Sequence, residues 1–187
     1  ELWGMAGLAI REVRQVLTGN QLLLFSFHMM LLLYVSGGCG ALEHPARPKD
    51  EDKASIWRTS IALLLCRLPG VRCFDFAQGL LGAKSPKPTT ILSLNLPDIV
   101  EQIWKGRVSN ELPLASSIGR DDQGRWHTSA LKEYPPAMCK ALAESFARAV
   151  LAIAADPAIC ISTEFWSRCE TMMVSEYGDF IGPDYAK

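Results

Sequence analysis

Glu43 and His44 are the residues best placed to do chemistry. They end a short apolar run, Cys39 to His44 (CGALEH), set between Gly37-Gly38 and Pro45. That composition predicts a central strand, and open α/β sheets bind ligands at the C-terminal ends of their strands. A carboxylate at a strand tip, partly withdrawn from water, can have its pKa raised and act as a general acid near neutral pH. The plainer alternative is that Glu43 caps a nearby backbone group or pairs with Arg47. The loop Gln78 to Thr89 (QGLLGAKSPKPT) is the second place. Its glycines permit close backbone approach, and Lys84 and Lys87 carry charge that can meet a phosphate or carboxylate, or simply stand solvated on a hairpin loop. Its spacing is neither that of a P-loop nor that of a dinucleotide fingerprint.

Weaker signals are set aside on chemical grounds. Ser55, Ser60, His127 and Asp121-Asp122 make no hydrolase without a G-x-S-x-G elbow. Trp57 and Trp126 are expected to fill core rather than stack on bases, and Asp50-Glu51-Asp52 is expected to be a solvated turn. His28, His44 and His127 lie far apart and no C-x-x-C occurs, so no metal site is expected. The six cysteines, with no secretory signal before them, are expected to be reduced thiols in an intracellular protein, nuclear or cytoplasmic.

The elements that must position these residues follow from periodicity. A helix is expected from Met5 to Leu17, closed by Thr18-Gly19-Asn20, with a second from Gln21 to Val35. The apolar run Leu22 to Val35 is fourteen residues, short of the ~20 a bilayer needs. It is therefore expected to be a helix buried on all sides, with no membrane partner. A helix capped near Ser55 runs to Leu68, stopped by Pro69-Gly70. Strands are expected at Val71 to Ala77 and Thr89 to Asn95, and a short helix from Pro97 through Trp104. Residues 105–133 read as mostly loop, and a helix runs from Pro135 or Pro136 to Ala155. Ser162 is expected to cap a last helix in a C-terminal extension, 156–187. The order is an α/β pattern that starts in the middle of one, and the first residue is Glu1, so the chain is expected to be a piece of a longer protein. At 187 residues, 49% hydrophobic and 21% charged, it can bury a real core. A net charge of −1 gives it no global field toward nucleic acid or anionic membrane, so such contacts must be local.

With Glu43-His44-Pro45, the lysine loop and Tyr134-Pro135-Pro136-Ala137-Met138 in view, the order of features resembles the C-terminal half of a DNA cytosine-5 methyltransferase-type Rossmann domain. In that family a buried strand ends in Glu-Asn-Val, whose Glu contacts the target base and helps protonate its ring. A helix and a strand then lead into a Gly-x-x-Gln-x-Arg-x-Arg loop and an antiparallel strand. Here Gly82-Ala83-Lys84-Ser85-Pro86-Lys87-Pro88-Thr89 stands in that place, with lysines where arginines would be expected. Tyr134-Pro135-Pro136 is similar to the family's Gly-Asn-x-Val-Pro-Pro opening of a late helix, without the Gly-Asn. The resemblance covers roughly Gly4 to Val150. The Glu-His-Pro, Ser-Ile-Trp, Lys-Pro-Thr and Tyr-Pro-Pro series resembles more closely still stretches of large uncharacterised predicted proteins from unicellular algae, which carry no assigned activity.

The resemblance implies an α/β fold in which residues 1–155 are a partial Rossmann-like, methyltransferase-type sheet with a β-hairpin at its end and flanking helices. It implies Glu43 as the catalytic acid, His44, Lys84 and Lys87 as substrate-binding residues, DNA met through a local site, and S-adenosylmethionine as cofactor of the full-length protein. None of the six cysteines follows a proline, as the attacking thiolate of that family does, and no glycine-bearing turn for S-adenosylmethionine is present. The chain is therefore expected to be a fragment of a degenerate methyltransferase-like protein, inactive alone and lacking the N-terminal half of its domain. The rival expectation is a non-catalytic structural or interaction module of a larger protein of mobile-element origin.

Overall fold

Seven residues, Pro88–Leu94, form the strand around which the rest is arranged. The structure is a computed structural model and describes residues 7–113 and 133–155. Strand β1 (Gly40–Pro45) and strand β2 (Val71–Ala77) each pair antiparallel with β3 (Pro88–Leu94), giving the order β1-β3-β2. β1 and β2 therefore run parallel to each other with β3 reversed between them. β3 is buried along its length after Pro88. Its side chains alternate between faces, so Ile91 enters one core and Leu92 and Leu94 the other. The expectation of a central strand at Cys39 to His44 is corrected: among the described residues β1 is an edge strand, because β3 inserts between it and β2.

Helices cover both faces. On one side lie α1 (Ile10–Val35) and α2 (Ser60–Leu65), where Phe27, Met30, Leu31, Ile61 and Leu65 meet Leu92 and Leu94. On the other lie α3 (Ile99–Lys105) and α4 (Pro136–Ala155), where Ile99, Ile103, Met138 and Ala141 meet Phe76 and Ile91. The molecule is thus mixed α/β, a small three-stranded antiparallel sheet between helical layers.

Two helices expected before residue 36 are one. α1 passes straight through Thr18-Gly19-Asn20, since an interior glycine costs a helix only about 1 kcal/mol. Nor is the Leu22–Val35 stretch buried on all sides: Leu24, Phe27, Met30 and Leu31 face the core, whereas Leu22, Phe25, Met29 and Leu32 face outward. By length and composition the 26-residue helix suffices to cross a membrane, although one face is committed to the core. The helix expected from Ser55 to Leu68 is divided into a 3-10 turn, Ile56–Arg58, and α2, because Thr59 is extended and caps α2 by accepting from the amide of Ala62 at 3.2 Å. Ser55 makes no cap bond.

Trp57 is core, as expected, with its indole N–H donating to the Pro45 carbonyl at 2.8 Å. The turn carrying Asp50, Glu51 and Asp52 is exposed, and Arg58 gathers its carbonyls, those of Asp50 at 3.0 Å and Lys53 at 2.7 Å among them. The last helix expected to be capped by Ser162, together with Asp121, Asp122, Trp126, His127, Cys160 and Cys169, lies outside the described residues.

Cys66 and Cys73 are joined in a disulfide between the end of α2 and β2, with Cα atoms 6.1 Å apart. For this pair the expectation of reduced thiols is corrected; the fold brings together two residues that spacing alone does not single out. Closing so short a loop is worth roughly 2–3 kcal/mol by chain entropy. Reduction, or Cys73→Ser, is therefore expected to lower the unfolding free energy obtained from urea denaturation by that much. Alkylation of the native chain followed by peptide mapping should leave Cys66 and Cys73 unlabelled.

Candidate functional site

Three segments distant in sequence meet at one carboxylate. β1 ends at Pro45 and presents Glu43 on the α3/α4 side of the sheet, in register with Ile91. The 3-10 turn Gln78–Leu81, directly after β2, supplies Gln78, which is fully buried. The Gln78 side-chain amide donates to Glu43 Oε1 at 3.1 Å and to Thr89 Oγ1 at 3.0 Å. From the residues ahead of α4, the Tyr134 hydroxyl donates to Glu43 Oε2 at 2.8 Å. Each carboxylate oxygen thus accepts one bond and keeps further acceptor capacity. The Arg47 pairing is absent, since Arg47 donates instead to the Trp57 carbonyl.

The loop below the carboxylate is tied closely. The amide of Gln78 donates to the Lys87 carbonyl at 3.2 Å, that of Gly79 to Pro86 at 3.1 Å, and that of Ala83 to Gln78 at 3.1 Å. Gly79 is obligatory here: a Cβ would lie 2.6 Å from Pro113 Cδ and 2.9 Å from the Ser85 carbonyl. Lys87 has φ +39°, a left-handed conformation uncommon outside glycine. This geometry places its ammonium 5.1 Å from the Tyr134 ring centroid. Lys84 is exposed on the outside of the loop. Of the four residues named from sequence, then, Glu43 and Lys87 both meet Tyr134, and Lys84 stands apart. His44, one residue on, points to the opposite face, where its ring meets Trp57 edge-on at 6.2 Å. Burial holds the His44 imidazole below its ordinary pKa, against the opposing pull of the Pro45 carbonyl and Glu43.

Gln78, Thr89 and Tyr134 are site residues that sequence reasoning did not select. Tyr134 was visible as part of Tyr-Pro-Pro, but nothing local points its hydroxyl at a strand 91 residues earlier. Its phenol is pushed up to about 12, first by burial and then by donation to Glu43. A raised folded-state pKa means that this contribution to stability is full below the ordinary value of 10 and is lost as pH rises toward 12. Tyr134→Phe should remove that alkaline loss, and absorbance titration of phenolate should lose one late-titrating tyrosine.

Two buried polar atoms at the site, Gln78 Oε1 and Ser85 Oγ, have no hydrogen-bond partner among the described residues. A cavity of about 600 Å³ lined by Arg72, Asn95, Asp98 and Arg148 lies at the other end of the sheet and shares none of these residues. Among the described residues no strand–glycine turn–helix unit precedes β1, which is entered from α1 through Ser36 to Cys39. Burial pushes the thiol of Cys39, the cysteine nearest Glu43 in sequence, above its ordinary pKa. Comparison of the chain with family models, with curated proteins and with solved structures finds no match.

Proposed function

We propose that the chain is the base-contacting corner of a degenerate DNA methyltransferase-like domain, with Glu43 as the acid that meets the target base. One observation carries this reading. Two of the segments on which the resemblance rests, Glu43-His44-Pro45 and Tyr134-Pro135-Pro136, meet at the Glu43 carboxylate, and the third, Gly82 to Thr89, is tied to it through Lys87 over the Tyr134 ring and through Thr89, which shares the Gln78 amide with Glu43. The order strand, helix, strand, loop, antiparallel strand also accords with a hairpin closing the end of a Rossmann-like sheet. In this role Glu43 accepts from the polar edge of the base, Gln78 and Tyr134 hold the carboxylate in place, and Lys87 supplies positive charge beside it. Methyl transfer itself needs a proline-held thiolate and a cofactor turn that these residues do not supply. The fragment therefore binds without reacting, and S-adenosylmethionine belongs to the full-length protein.

A non-catalytic module is the second reading, and the engagement of both Glu43 oxygens favours it: a purely structural strand-end tie has the same geometry. Titration calorimetry and fluorescence anisotropy separate the two. The first reading expects no heat with S-adenosylmethionine and binding of a cytosine-containing single strand that Glu43→Gln weakens about tenfold. A micromolar affinity for S-adenosylmethionine, or oligonucleotide binding indifferent to Glu43→Gln, overturns it.

A further inference from the structure

From Gln21 to the C-cap Ser36 the exposed residues of α1 and its cap are Gln21, Leu22, Phe25, Met29, Leu32 and Ser36. Leu22 and Phe25 are each 62% exposed, Leu32 43% and Met29 39%. At about 100° per residue these four apolar side chains form a seam only about 80° wide, directly opposite the face that enters the core. So narrow a stripe, alternating three and four residues, is the pattern of a helix that pairs with another helix; an interfacial lipid-binding face is broader.

Extended by one step at each end, the seam reads Thr18, Leu22, Phe25, Met29, Leu32, Ser36, with both terminal residues polar and exposed. This order has the same spacing read in either direction. An antiparallel copy laid against it would set Leu22 against Leu32, Phe25 against Met29 and Thr18 against Ser36. A two-fold interface requires that kind of self-complementarity. Charge agrees with it: exposed Arg11 and Arg14 lie N-terminal to the seam on the same side, while the last turn of α1 has no basic residue. Antiparallel pairing sets Arg14 just past the C-terminal end of the other α1, whose last turn carries no basic residue to repel it. The Ser26 hydroxyl, beside the seam, donates to the Leu22 carbonyl at 2.9 Å and so makes no demand on a partner.

We infer that α1 is a homodimerisation surface whose occupant is the α1 of a second copy, antiparallel and centred near Phe27. The inference is independent of the reading of the Glu43 site.

Sedimentation equilibrium of the full 187-residue chain across micromolar to submillimolar concentrations should give a monomer–dimer equilibrium. Phe25→Glu and Met29→Lys, both at exposed positions, should each weaken it about 30-fold or more while leaving the far-ultraviolet circular dichroism unchanged. Mixing the two variants should restore a one-to-one dimer, because Glu at 25 then faces Lys at 29 across the seam. A wild-type chain that stays monomeric, an equilibrium indifferent to Phe25→Glu, or a mixture that fails to pair overturns the inference. So does a monomer that floats with phosphatidylcholine–phosphatidylserine vesicles, which would assign the seam to lipid. Should Phe25→Glu not fold, the wild-type concentration series and Met29→Lys decide.

Discussion

Gln78→Glu is expected to destabilise the chain by about 3 kcal/mol or more at pH 7. The side chain it replaces is fully buried and gives its two amide hydrogens to Glu43 and Thr89. A carboxylate in that place sets two like charges at hydrogen-bond distance where water cannot screen them, so one must take up a proton. The pair's folded-state pKa then lies above its unfolded value. Stability is therefore retained in acid and lost as pH rises through the raised pKa. Gln78→Leu removes the same donors without adding charge, and should cost about 1–3 kcal/mol at every pH. Urea unfolding of both variants at pH 5 and pH 8 separates the two effects. Equal, pH-independent losses would mean that residue 78 does not face Glu43.

Phe27→Ala is the second large effect. Phe27 is 0% exposed and is the point at which α1 enters the core shared with Ile61, Leu65, Leu92 and Leu94. Truncating a buried phenylalanine costs about 3–5 kcal/mol, a large part of the 5–15 kcal/mol typical of a whole domain. The melting temperature should fall by on the order of 10 °C. Leu22→Ala, five residues earlier on the same helix but facing outward, should change it little in the monomer. Scanning calorimetry of the two at low concentration tests that asymmetry, and comparable losses would contradict the two-faced description of α1.

That asymmetry marks where the sequence stopped being informative. Leu22 and Phe27 belong to one unbroken apolar run, and hydrophobicity alone assigns both to a core; only the position of the sheet tells them apart. Local signals fared better where the pattern was short-ranged. The strand composition of Val71–Ala77 and of Thr89–Asn95 and the double proline before α4 placed those elements within a residue or two. Gly19 misled because a glycine is a helix stop only when nothing beyond it continues to pack. At the site, Glu43 was legible as a strand-end acid and Lys87 as a loop charge. Gln78 and Tyr134 were not, because what makes them functional is a contact 35 and 91 residues away. Lys84 and Lys87 looked equivalent until the left-handed backbone at Lys87 turned one of them inward.

The reversed strand at the middle of the sheet has a kinetic consequence. β2 and β3 are joined by a ten-residue loop and can pair as soon as both exist, whereas β1 must wait for a partner about fifty residues downstream, across a much longer loop to close. Glu43 rides on the late strand and Gln78 on the early hairpin. The chain thus passes through states in which the hairpin is formed and the carboxylate has not arrived. Pulse-labelling hydrogen exchange during refolding should protect Phe74 and Ile91 before Leu42 and His44, which makes assembly of the polar cluster a report on completion of the fold.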